Sequence, residues 1–263
     1  MTMEQFGDVH LRLKDHVAIA EIRRPPYNFF DQHLIRNLAD AFAYLDSVAQ
    51  CRAIVLASQG KAFCAGADFQ SDAGTALFKD DPDTGAATLY QHAVRLFRTR
   101  TPVVAAVQGA AIGGGLGLAL VADFRVICEN TRFSANFVKL GVHAGFGISH
   151  VLPRVVGRQQ ASLMLYTGRR VGAVEAMAMG LGDLLATPDD IREQAIALAT
   201  EIAQAAPLAV ESTRMTLRAG LADAVERQVQ HEFAEQSRLA RTQDHVEGVR
   251  AVTERRAGRF IRA

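Results

Sequence analysis

In this 263-residue chain, the residues best suited to chemistry offer their backbone rather than their side chains. The run Gly109-Ala110-Ala111-Ile112-Gly113-Gly114-Gly115-Leu116-Gly117-Leu118-Ala119-Leu120-Val121-Ala122-Asp123 follows a short apolar stretch, Val103–Val107, that reads as a buried strand. Leu116, Leu118, Ala119, Leu120 and Ala122 suit a buried helix, so the glycines fall where that helix begins. A first helical turn leaves N–H groups unpaired and carries the positive end of the macrodipole. Glycine lets a ligand come close, so such a segment can hold a negatively charged oxygen. A glycine cluster also serves simply to pack a helix tightly on a sheet, and from this stretch alone both readings stand.

Side chains able to move a proton near neutral pH are few. His143, in the glycine-flanked stretch 141–147, could face a pocket as acid or base; it could equally cap the following helix or face a subunit interface. Tyr90, on a predicted helix over 86–98, is a second candidate, although tyrosines on helices usually serve packing.

The elements that must position these groups follow from periodicity. Residues 9–13 and 17–22 predict two strands joined near Lys14-Asp15-His16, and Arg23-Arg24-Pro25-Pro26 stops the second. Leu34, Leu38, Ala41, Phe42 and Leu45 form a helical stripe with Asp31 as N-cap. Residues 53–57 predict a buried strand, followed by a loop of small residues over 60–69 and a surface connection over 71–85. Strands over 124–128 and 132–134 precede a loop over 137–147. Beyond Gly157 the chain reads as helical over 159–166, 174–179, 189–205, 208–218 and 221–242, with Pro207 in a first turn.

Composition narrows the classes. A hydrophobic fraction of 49% and a charged fraction of 22% are those of an ordinary globular chain with ample core. A net charge of +1 supplies no footprint for nucleic acid or an anionic membrane surface. The uncharged run 103–122 is broken by five glycines and changes period within itself, which argues against a membrane span. Cys51, Cys64 and Cys128 are odd in number and lack metal-ligand spacing, so no metal site is expected. The first residues show no basic segment followed by an apolar core, and a cytoplasmic location is expected.

Taken together, Lys61-Ala62-Phe63-Cys64-Ala65-Gly66-Ala67-Asp68 and Gly109–Asp123 resemble the two signature segments of the crotonase, or enoyl-CoA hydratase/isomerase, superfamily. The order continues through Arg23-Arg24-Pro25, Leu152-Pro153-Arg154-Val155-Val156-Gly157, Leu165-Tyr166-Thr167-Gly168 and Ala206-Pro207-Leu208-Ala209. The resemblance implies an α/β fold, a spiral of stacked ββα turns over residues 1–206. A C-terminal helical region over 207–263 would form trimers, with hexamers as two trimers. It implies an acyl-CoA ligand and no permanently bound cofactor, coenzyme A being part of the thioester substrate. The amides of Ala67 and Gly114 would bind the thioester oxygen, next to Gly113. The stretch Cys64, Ala65, Asp68 and Phe69 would contact the adenine end, Arg24 would lie near the phosphates, and Phe260 would reach a neighbouring subunit's coenzyme A. Hydratases of the family use two glutamates, and their places here read Gly117 and Phe137. An aspartate used by other members falls near Gly145. Two readings follow: an enzyme that stabilises a thioester enolate, by isomerisation, C–C cleavage or related chemistry, or a non-catalytic acyl-CoA-binding protein.

Overall fold

A computed structural model describes residues 2–68 and 86–263. Its main sheet has seven strands in the order β1(Thr2–Phe6), β2(Val9–Lys14), β3(Val17–Ile22), β4(Ala53–Ser58), β5(Val103–Val107), β7(Phe124–Cys128) and β10(Leu184–Ala186). The first three pair antiparallel and the remainder parallel. A smaller sheet joins β6(Ala110–Ile112), β8(Arg132–Ser134) and β9(Arg170–Gly172). Nine α-helices lie among the described residues: α1(Gln32–Ser47), α2(Ala86–Phe97), α3(Gly114–Val121), α4(Ile148–Thr167), α5(Ala173–Ala178), α6(Ile191–Gln204), α7(Pro207–Leu217), α8(Leu221–Leu239) and α9(Gln243–Thr253).

The central strands β3, β4 and β5 are covered on both faces, which is why they read as nearly unbroken apolar runs. Side chains alternate between the two faces along β3 and β4: Ala18, Ala20, Ile22, Ile54 and Leu56 point into the large core, whereas Val17, Ile19, Ala53, Val55 and Ala57 meet the stripe Ile191, Ala195, Ala199 and Ala203 of α6. The expected stripe of α1 is buried on the large core, and Asp31 caps the helix by accepting a hydrogen bond from the Leu34 amide at 2.9 Å.

The structure refines three boundaries. The glycine segment begins with a strand, β6, before it turns into α3. The long helix expected over 221–242 runs from Leu221 to Leu239, and a further helix that the sequence reading did not anticipate follows it, capped by Thr242, whose hydroxyl accepts from the His245 amide at 3.1 Å. Helix α4 starts at Ile148, well before 159, and breaks at Gly157. The surface connection expected over 71–85 lies outside the described residues.

Asp123, at the end of the glycine segment, is a hub. It accepts from the Val103 amide, from Arg214 Nε and from Arg218 Nη1, each at 2.8 Å, and thereby ties the start of β5 to α7. Arg214 is itself buried and donates onward to the carbonyl of Thr99.

Candidate active site

The site is assembled from backbone first. The loop 63–67 runs alongside β6: Phe63 donates to the Gln108 carbonyl, Cys64 donates to Ala110, and Ile112 donates to Cys64, at 2.7, 3.0 and 3.1 Å. The early loop is laid against the same strip, with Ala65 donating to Tyr27 and Phe30 donating to Gly66. Buried Asn28 locks it by donating through Nδ2 to the carbonyls of Gln59 and Ala62. Gly115 allows the close approach of helix to loop, because a Cβ there would stand 2.0 Å from the Cys64 oxygen. Gly113 turns the chain at φ +55°, in the left-handed region that favours glycine, while its own amide donates to Ser134.

Ala67 and Gly114 line one cavity, together with Ala65, Gly66 and Gly113. Among the described residues, the amides of Ala67 and Gly114 have no hydrogen-bond partner, and the second is the first amide of α3. The remaining walls are apolar, with Phe30, Phe137 and Phe146 as the aromatic members, and the cavity volume is about 60 Å³, space for a few water molecules. Three polar side chains line it, Tyr90, Asn136 and Gln236. Among the described residues, no carboxylate, histidine, lysine or arginine does so.

The positions where the resemblance would place acids are closed by packing. A Cβ on Gly117 would meet the Phe146 ring at 2.7 Å, and a Cβ on Gly145 would meet the Tyr90 hydroxyl at 1.9 Å. Phe137 is buried and stands in the cavity wall. The space a carboxylate would need is therefore held by Phe146 and Tyr90.

His143 does not reach the cavity. Its ring is half-buried, bonds through Nδ1 to the Ala144 carbonyl at 2.8 Å and lies edge-on to His231 at 5.6 Å, so the expectation that it faces the acyl pocket is corrected. The reason is the Gly145–Phe146 turn, which brings Phe146 inward and leaves His143 on the side of α8. Tyr90 does line the cavity, but its hydroxyl donates to Gln236 Oε1 at 2.5 Å and accepts from the Phe146 amide. Burial raises its pKa far above the ordinary value, so it remains a neutral phenol.

Arg24 is engaged by two carboxylates of its own chain. It pairs with Asp8 at 2.5 Å and Asp31 at 2.9 Å. Burial acts against its charge, but the hydrogen bonds it donates to Asp31 and Asp8 outweigh this and hold the guanidinium above its ordinary range. Cys64 is fully buried behind the loop, with its thiol pushed up to about 12 by burial, so its backbone rather than its sulfur serves the site. Ala65 and Asp68 are half-buried at the loop's edge, Phe69 lies outside the described residues, and Phe260 is exposed on the tail, away from this cavity.

Two of the cavity's polar residues, Asn136 and Gln236, were not singled out by sequence reasoning. Gln236 comes from α8, which also carries the buried Glu232. This carboxylate accepts from the Gly147 amide at 2.7 Å and from the Ser149 amide and hydroxyl at 3.1 and 2.5 Å, fastening α8 to the start of α4. Burial outweighs these bonds and pushes Glu232 up to about 7. The folded protein therefore keeps a proton there that the unfolded chain releases near pH 4.5, so this group's contribution to stability falls as pH rises from about 4.5 to 7 and then levels off. The expected difference between wild type and Glu232→Gln in urea unfolding changes by about 3 kcal/mol over that window; an equal difference at pH 5 and pH 8 would refute it.

Comparison with known proteins places the chain in a family. The family model described as enoyl-CoA hydratase/isomerase matches residues 12–262. A Thermus thermophilus protein bearing an enoyl-CoA hydratase name is 36% identical over 255 residues, covering 94% of this chain and 98% of its own. The (E)-benzylidenesuccinyl-CoA hydratase of Thauera aromatica is 32% identical over 259 residues, covering 96% and 98%. The crystal structure of an enoyl-CoA hydratase/isomerase from Pseudoalteromonas atlantica superposes with a TM-score of 0.86 at 26% identity, covering 97% of this chain and all of that one. The matched span takes in the interlocked glycine segments, the cavity and the helices that close it, and the chain belongs to the enoyl-CoA hydratase/isomerase family, within the crotonase superfamily.

Proposed function

We propose that the chain binds an acyl-CoA thioester, takes the thioester oxygen between the amides of Ala67 and Gly114, and stabilises the enolate that forms there. One observation carries this reading: Ala67 and Gly114, whose amides have no partner among the described residues and one of which starts a helix, line the same small, mostly apolar cavity. Donors fixed before charge develops, in a site poor in water, are worth about 3 kcal/mol each to a transition state of this kind.

The reaction that fits is one for which the protein supplies the oxyanion site and no base. Two-carboxylate hydration needs one group to activate water and another to deliver a proton to carbon, and Gly117 and Phe137 supply neither. In loss of the carboxylate from a 2-carboxyacyl thioester, the bond from the α-carbon to the carboxylate carbon breaks, its electron pair enters the enolate and carbon dioxide leaves. The enolate then takes a proton from water, and carbon dioxide takes up the hydroxide as bicarbonate. No titrating side chain is required. A second reading, a non-catalytic acyl-CoA-binding protein, is favoured by the same scarcity, with Tyr90 held neutral and His143 turned away.

Assembly through the C-terminal helices belongs to the same proposal. Leu208, Met215 and Leu217 of α7 are 79%, 57% and 82% exposed, beside a groove of about 560 Å³ shared with α6, and a homotrimer, alone or paired as a hexamer, would cover them.

The test incubates 2-carboxyacyl-, 3-oxoacyl- and 2-enoyl-CoA thioesters with the protein in heavy water, with mass spectrometry of the products and a binding titration of each. A shortened acyl-CoA carrying one deuterium at its α-carbon is the expected result. Exchange into an uncleaved thioester would instead reveal a base at the site. Binding without either would favour the non-catalytic reading, and no binding would overturn both.

A further inference from the structure

The reading above leaves open which acyl groups the cavity admits, and the structure closes one end of it. Phe146 is buried, with its backbone at φ +62°, a strained conformation for a bulky residue that persists only where the surroundings enforce it. The surroundings are visible. Its amide is bonded to the Tyr90 hydroxyl, Tyr90 donates to Gln236 Oε1 at 2.5 Å, and Gln236 Nε2 donates to the His143 carbonyl at 2.9 Å. The Gly145–Phe146 turn is thus held on both sides by a pair of buried neutral side chains from α2 and α8.

The ring that this turn delivers leaves no gap behind it. It rests on α3 so closely that even a methyl group on Gly117 would clash, and it meets Phe30 edge-on at 6.1 Å, while the Phe30 ring covers Gly114. An acyl chain whose thioester oxygen reached the Gly114 amide would run into this aromatic pair.

We propose that Phe146, held by Tyr90 and Gln236, is a specificity-determining residue that confines the cavity to acetyl- to butyryl-sized acyl groups, with Gln236 as its positioning residue. The proposal rests on the acyl-CoA reading and adds a chain-length limit to it.

The test uses saturated thioesters, acetyl-, butyryl-, hexanoyl- and octanoyl-CoA, in calorimetric titrations with free coenzyme A as reference. In the wild type, affinity is expected to fall about tenfold or more from butyryl to octanoyl, since the added methylenes find no apolar place to be buried. Phe146→Ala is expected to reverse that ratio and leave the affinity for free coenzyme A unchanged. Gln236→Leu, which keeps the bulk but removes both hydrogen bonds, is expected to move the ratio part of the way. A structural role alone would weaken all ligands equally and leave the ratio fixed. Should Phe146→Ala fail to fold, Phe146→Leu and Gln236→Leu decide the matter by the same ratio. Wild-type protein that binds octanoyl-CoA as tightly as butyryl-CoA, or variants whose ratio does not move, would overturn the proposal. Failure to bind free coenzyme A and every thioester would remove the acyl-CoA reading itself, a result distinct from either.

Discussion

Replacing Gly114 by proline is expected to lower the turnover of the thioester that the protein converts by about 10²–10³-fold, because it deletes one of two preplaced donors. Proline is otherwise tolerated at the first position of a helix, where the missing N–H has no intrahelical partner. Its ring carbons would nevertheless collide with Phe30, since a Cβ at Gly114 falls 1.9 Å from that ring. The comparison is therefore made in a Phe30→Ala background, with Gly114→Ala as the matched control that keeps the amide. Rates are measured on both variants at saturating substrate, with circular dichroism to verify folding. Equal rates for the alanine and proline variants would show that the Gly114 amide does not meet the developing charge.

The largest expected loss of stability follows removal of Asp123. This carboxylate holds two arginines, each at most 15% exposed, and one backbone amide. Arg214 Nη2 and Arg218 Nε are already buried without partners among the described residues. Asp123→Ala would leave both guanidinium groups uncompensated, and breaking a buried pair from one side typically costs about 3–5 kcal/mol. For a chain of this size that corresponds to a fall of roughly 10 °C in the melting temperature. Adding Arg214→Met and Arg218→Met to the same variant is expected to recover most of the loss, because the uncompensated charges go with the carboxylate. A thermal melt of Asp123→Ala within 2 °C of wild type, on the order of a fraction of a kcal/mol, would show that solvent reaches the cluster.

Local rules made much of this fold legible in the sequence. Asp31 caps α1 because its short side chain reaches the amide three residues on, and β3, β4 and β5 are unmistakable apolar runs because both sheet faces are covered. The start of α3 was legible for a related reason: a glycine cluster between an apolar run and a helical pattern marks a turn into a helix, whereas Ala67 was singled out only by the family resemblance. Strands β6 and β10 were not legible, since β6 lies inside the glycine run and β10 is largely exposed, so neither stands out as an apolar segment.

What the sequence hid is the part of the site made at long range. Gln236 lies in a helix rich in charged residues, and nothing local marks its side chain as 3% exposed. Its partner Tyr90 is 146 positions away in sequence. His143 had the right chemistry and neighbourhood but the wrong orientation, which is set by a positive φ at Phe146 that no residue preference would suggest. The division at residue 207 likewise leaves out that α8, as well as any role in assembly, closes the cavity through Gln236 and fastens α4 through Glu232.

The close contact of Gly115 with the Cys64 carbonyl has a wider consequence for how this protein tolerates change. The loop bearing Ala67 and the helix bearing Gly114 are registered to one another by main-chain bonds and by the absence of side chains between them. The surrounding wall, by contrast, is made of side chains that take no part in those main-chain bonds. Sensitivity to substitution should then be sharply uneven, severe along the narrow seam where two stretches of backbone touch and mild across the cavity wall. Such a division would let the cavity wall change by ordinary side-chain replacement while the backbone seam stays fixed, much as a lathe accepts different tools without its bed being recut.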